Sequence, residues 1–150
     1  MQKLSVSRKK ILVVDPDSGP HDPVVNLLIA ENYKVSLADS ADRAWEALRL
    51  DHPDLVLLET MLPTGTEGFH LVWRLRDDPD ERLSQTPVLI VSRIHQTTAL
   101  NLFPDFHDGH YRAHEFLPVQ GFLDKPVDHE RLRLAVSEVF GRREPVARGC

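Results

Sequence analysis

Cysteine is all but missing from this chain: the single one, Cys150, is its last residue, so no internal disulfide can form. Such a protein has to be held by its core, and the expected compartment is the cytoplasm. No apolar run approaches membrane-spanning length, and the charged start, Met1 to Lys10, has no apolar stretch of the kind a secretory leader needs. No membrane association and no export are therefore expected. Positive charge is in deficit, with 18 Lys and Arg against 23 Asp and Glu. The net charge of -5 argues against a nonspecific nucleic-acid binder, because a duplex repels an acidic surface. Internal repeats and low-complexity tracts are absent too.

What the chain does have is a regular alternation. At 150 residues, 41% hydrophobic and 27% charged, it is the size of one domain with a sizeable core. The most informative stretch is Asp54-Leu55-Val56-Leu57-Leu58-Glu59, followed by Thr60-Met61-Leu62-Pro63. So apolar a strand is covered on both faces, as in the middle of a parallel sheet. Its last residue, Glu59, then carries a charge to the carboxyl edge, where open α/β sheets place their sites.

The rest of the chain falls around that strand. Residues 1–9 form a flexible tail, and Lys10 to Asp15 read as a buried, β-branched strand ending in an acid. Pro16 to Pro20 form a turn-rich loop, Asp22 caps a helix with Pro23 in its first turn, and Val24, Leu27, Leu28 and Asn32 mark its face. Lys34 to Ala38 alternate like an edge strand, and Ser40 caps a helix with Ala41, Ala44, Trp45 and Leu48 inward. His52-Pro53 ends that helix. A third helix carries Phe69, Val72 and Leu75 on one side and leaves Trp73 off that face, until Asp78-Pro79 stops it. Val88 to Ser92 form a fourth strand and Gln120 to Asp124 a fifth, and Lys125-Pro126 closes it. Asp128 caps the last helix, whose inward residues are Leu132, Ala135, Val136, Val139 and Phe140; Gly141 stops it, and 141–150 form a disordered tail. Parallel strands joined by right-handed crossovers bring Asp15, Glu59, Ser92 and Lys125 to one rim.

This set, with Ile11 to Asp15, Pro53 to Glu59, Met61-Leu62-Pro63, Gly68-Phe69, Pro87 to Ser92 and Lys125-Pro126, resembles the receiver domain of two-component response regulators over residues 10–140. The resemblance implies a flavodoxin-like (CheY-like) α/β domain, a five-stranded parallel sheet of order 2-1-3-4-5 with helices on both faces. It also implies roles. Glu59 occupies the phosphoacceptor position, Asp15 and Asp17 the acidic pocket, Ser92 and Phe122 the switch pair and Lys125 the conserved lysine; Met61 offers the backbone carbonyl that completes the metal shell. In that family a carboxylate accepts a phosphoryl group from a histidine kinase, with magnesium neutralising the developing charge.

Two departures alter that expectation. The acceptor is Glu59 rather than aspartate, which displaces the carboxylate by roughly 1.5 Å, one C–C bond; a shift of that size in a reacting atom can cost about a hundredfold in rate. After Asp15 comes Pro16, with no carboxylate, and Asp17 stands one place late. Magnesium binding, for which Asp15 and Glu59 are the weak candidates, should therefore be poor, and no cofactor is expected. The reading is a pseudo-receiver in which Glu59 reaches toward Lys125. It is not an enzyme, and it acts by protein contact with a sensor histidine kinase or a downstream effector through the 93–140 face, with a homodimer as a further option. The alternatives are a working, magnesium-dependent receiver phosphorylated on Glu59, and a small flavodoxin-like enzyme or nucleotide binder. The latter lacks a glycine-rich phosphate loop, since Pro16 to Pro20 stand where one belongs.

Residues 93–119 make a connection roughly ten residues longer than the family's usual one, rich in aromatics and histidines, and long connections in compact domains are commonly functional. His107, His110 and His114 have helix-like spacing among Asp105, Asp108 and Glu115, which suits a metal site or, more often, a polar exposed face. No helix-turn-helix follows Gly141, so direct transcriptional control is not expected.

Overall fold

In the computed structural model, residues 8–60, 67–92 and 119–141 are described. Five parallel strands form one sheet: β1 (Lys10–Val14), β2 (Lys34–Ala38), β3 (Leu55–Leu58), β4 (Val88–Ser92) and β5 (Gly121–Asp124), in the order β2-β1-β3-β4-β5. The helices among the described residues are α1 (Pro23–Ala30), α2 (Ala41–Asp51), α3 (Glu67–Arg76), the single turn α4 (Glu81–Ser84) and α5 (His129–Gly141). The expected strand order is the observed one.

The burial of each strand follows its composition. β3 and β4 are buried at every residue and β1 at all but its first, as continuous apolar runs require when both faces are covered. β2, with Lys34 and Ser36 between its apolar positions, lies at the edge and is largely exposed. Because side chains alternate along a strand, the sheet sorts its residues into two cores. Leu12, Val14, Val56, Leu58, Val88 and Ile90 face α2 and α3. Ile11, Val13, Leu55, Leu57, Leu89 and Val91 face α1 and α5. Replacing a leucine such as Leu57 or Leu58 by alanine would cost about 2–5 kcal/mol in either layer.

The caps hold the crossovers in place. Asp22 accepts from Val24 N at 2.7 Å, Ser40 from Arg43 N at 3.2 Å, and Asp128 from Glu130 N at 2.9 Å. α2 ends with His52 in the left-handed region at φ 49, and Asn32, at φ 72, lies beyond the end of α1 rather than on its face. Gly141 belongs to α5, not to the tail. The turn α4 was not anticipated: four residues are too few for a periodic pattern, and its only sequence signal is Asp80, whose carboxylate accepts from Arg82 N at 2.9 Å. Arg76 ties this region together. Its guanidinium donates to Thr86 O at 2.6 Å and Ser84 O at 3.0 Å, and burial pushes it down to about 10.

No helix of the described residues is long and apolar enough to cross a membrane. Met61, most of the 93–119 connection with its three histidines, and the tail after Gly141 lie outside the described residues.

Candidate functional site

The rim is built by extending the sheet's own hydrogen bonding one residue past each strand. Asp15 N donates to Ala38 O at 2.9 Å, Glu59 N to Val14 O at 2.9 Å, and Lys125 N to Ser92 O at 3.0 Å. The three residues are thereby fixed as rigidly as strand positions, although they stand in the loops that follow. By alternation Asp15 and Glu59 continue the row of Val13 and Leu57 on the α1/α5 side, while Thr60 and Ser92 continue that of Leu58 and Ile90 on the other.

Asp15 and Glu59 are buried, 8% and 5% exposed, which is costly for carboxylates without partners. Both have Lys125. Its Nζ lies 2.9 Å from Glu59 Oε1 and 2.5 Å from Asp15 Oδ2. Burial alone would lower the Lys125 pKa, but hydrogen bonds and charge from Asp15 and Glu59 outweigh it and raise it. The peptide bond from Lys125 to Pro126 is cis. Asp15 Oδ1 accepts from Asp17 N at 2.9 Å, so Asp15 also caps its loop. The other oxygen of Glu59, Oε2, accepts from Ser92 Oγ at 2.5 Å, and Ser92 Oγ lies 3.1 Å from Thr60 Oγ1. Phe122 is half-buried and packs against the α2/α3 core.

Every described residue expected at the rim thus stands at or beside it. Asp17 is exposed and lines, with Asp15, Glu59 and Lys125, a cleft of about 610 Å³. That cleft has an apolar floor of Val13, Leu57 and Val91. The part played by two residues already named, Thr60 and Gly68, was not foreseen. Thr60, fully buried, looked like the start of a loop. Gly68 allows the first turn of α3 to lie flat on the end of β3: a Cβ there would meet Thr60 Cα at 2.7 Å.

Magnesium demands an octahedral shell of oxygens, and the described residues offer few that are not already engaged. Asp15 and Glu59 are both engaged by the Lys125 ammonium, Pro16 contributes nothing, and no group of three or more His, Cys, Asp or Glu converges among the described residues.

A family model for the response regulator receiver domain matches residues 11–103, more than half of the chain. The chain belongs to that family. This receiver is 33% identical over 140 residues to the 3',5'-cyclic-nucleotide phosphodiesterase regA of Dictyostelium discoideum, a match covering 91% of the chain and 16% of that protein. It is 28% identical over 135 residues to the response regulator Rre1 of Synechocystis sp., covering 89% of the chain and 52% of the relative. The receiver therefore spans about half or less of these relatives' lengths. Among solved structures it resembles the chemotaxis response regulator CheY4 of Vibrio cholerae, with a TM-score of 0.69 at 21% identity, covering 89% and 99% of the two chains. It also resembles a response regulator from Desulfuromonas acetoxidans, with a TM-score of 0.68 at 21% identity, covering 91% and 99%. At such identities the likeness establishes the fold. Membership establishes a receiver domain of two-component signalling.

Proposed function

We propose that this receiver is a pseudo-receiver, which signals by protein contact without phosphorylation and in which Glu59 stands in for a phosphorylated acceptor. The observation that carries the reading is the double engagement of one carboxylate: Oε1 on Lys125 at 2.9 Å and Oε2 on Ser92 at 2.5 Å. A phosphorylated aspartate would present its oxygens to the same ammonium and the same hydroxyl. The extra methylene of glutamate supplies roughly the reach of one C–C bond in that direction. With Ser92 bound to Glu59 and Phe122 packed on the core of that face, the switch pair on this reading is held in one arrangement. That state needs neither magnesium nor a donor.

The contact surface on this reading is the face spanning 93–140, to which β5 and α5 belong, and the partner is a histidine kinase or a downstream effector. The test is incubation of the intact chain with a small-molecule phosphodonor and magnesium, followed by mass spectrometry with and without hydroxylamine. No labelled Glu59 is expected. A hydroxylamine-sensitive phosphoryl adduct on Glu59 would instead make this a working receiver.

A further inference from the structure

Ser92 has one hydroxyl proton, and two oxygens beside its hydroxyl compete for it. Glu59 Oε2 lies 2.5 Å away and Thr60 Oγ1 3.1 Å. A carboxylate can only accept, so Ser92 is the donor in that contact. Ser92 therefore spends its proton on Glu59, and its oxygen is left to accept. Thr60 must be the donor. Its hydroxyl is fully buried, and every polar group sealed from water needs a partner.

From this we infer that Thr60 is a positioning residue: it donates to Ser92, which donates to Glu59, and this one-way relay locks Ser92 toward the carboxylate. The inference rests on the reading of Ser92 as the switch hydroxyl and adds what holds it. Serine lacks the β-branch that stiffens χ1, so hydrogen bonds decide which staggered rotamer it takes. Thr60 has that branch, and its place is set from behind. Gly68 lies so close that a Cβ would fall 2.7 Å from Thr60 Cα and 3.3 Å from Thr60 Cβ. Each donor in such a chain polarises the next, which strengthens the bond onto Glu59. The state of the rim is thus set by the residue next to Glu59 in sequence as well as by Lys125 across the sheet.

The test uses Thr60→Val, which keeps the shape and removes the hydroxyl, beside Thr60→Ser, which keeps the hydroxyl. The readout is the Ser92 χ1 distribution from side-chain NMR couplings. Wild type should show one rotamer. Thr60→Val should shift the ratio of inward to outward rotamers by about fivefold, the size of one ordinary hydrogen bond, and Thr60→Ser should restore most of it. A merely structural Thr60 would leave Ser92 unmoved in a folded Thr60→Val, or would make Thr60→Ser as damaging as Thr60→Val; either result overturns the relay. Should Thr60→Val not fold, wild type decides alone: a slowly exchanging Thr60 hydroxyl proton with a cross-peak to Ser92 supports the relay, and a fast-exchanging one ends it. Phosphoryl labelling of Glu59 would overturn the pseudo-receiver and leave the relay standing, whereas unmoved Ser92 rotamers would do the reverse.

Discussion

Lys125 and Asp15 stand 110 positions apart in the chain and 2.5 Å apart in space. The ammonium lies between Asp15 and Glu59, bound to both, and one cation serves two buried carboxylates. Much of the behaviour expected of this protein follows from that sharing.

Replacing Lys125 by methionine keeps the stem and removes the charge. Asp15 and Glu59 then face each other without it. Breaking a buried pair costs about 3–5 kcal/mol; the side chain of Lys125 is 20% exposed, so a loss nearer about 2–3 kcal/mol is expected after screening. Urea denaturation at neutral pH measures it. The pH dependence has a definite sign, because the folded-state pKa of Lys125 is raised above its unfolded value. Its contribution is complete below the ordinary lysine pKa, about 10.4, and is lost as pH rises through the higher folded value. Wild type should lose this component in that alkaline window, and Lys125→Met should have none to lose. Parallel alkaline profiles would count against the pair.

Gly68→Ala should destabilise the protein, against the usual trend. An exposed helical glycine replaced by alanine gains about 1 kcal/mol. Here the new Cβ would lie 2.7 Å from backbone, Thr60 Cα, with Glu59 O at 3.3 Å, so α3 or the end of β3 must move. Such overpacking costs about 1–3 kcal/mol, and a lowered melting temperature is the expected outcome.

Thr60→Val should change sign with its background. In wild type it takes away the donor to Ser92 and destabilises by about 1 kcal/mol. In Ser92→Ala the Thr60 hydroxyl is already stranded in the interior, so the same substitution should be neutral or stabilising. A double-mutant cycle from chemical denaturation reads this coupling, and additive effects would mean that the two hydroxyls do not communicate.

Phosphotransfer should return when its missing parts do. Glu59→Asp shortens the carboxylate away from Lys125 and Ser92, and Pro16→Asp adds the absent acid beside Asp15. Together they should give magnesium-dependent, hydroxylamine-sensitive labelling at position 59, with Glu59→Asp alone much weaker. A double variant that stays unlabelled would show that the block lies elsewhere.

Strand order came from the resemblance to receiver domains, whereas the two-faced core and the convergence of Asp15, Glu59, Ser92 and Lys125 were legible in the chain itself, because they depend on periodicity and on parallel connections. Runs such as Leu55 to Leu58 and Val88 to Val91 can be satisfied only in central strands, and parallel strands bring their carboxyl ends to one edge. What lay out of reach was the partnering at that edge. Nothing in the spacing says that Lys125 divides itself between Glu59 and Asp15, or that Thr60, just past the end of β3, is fully buried. Those outcomes turn on a few tenths of an ångström across three strand tips and on how closely Gly68 lets α3 approach. A pattern of apolar residues determines which face a side chain joins, whereas a hydrogen bond also needs its distance and the count of protons, and these exist only once the chain has folded.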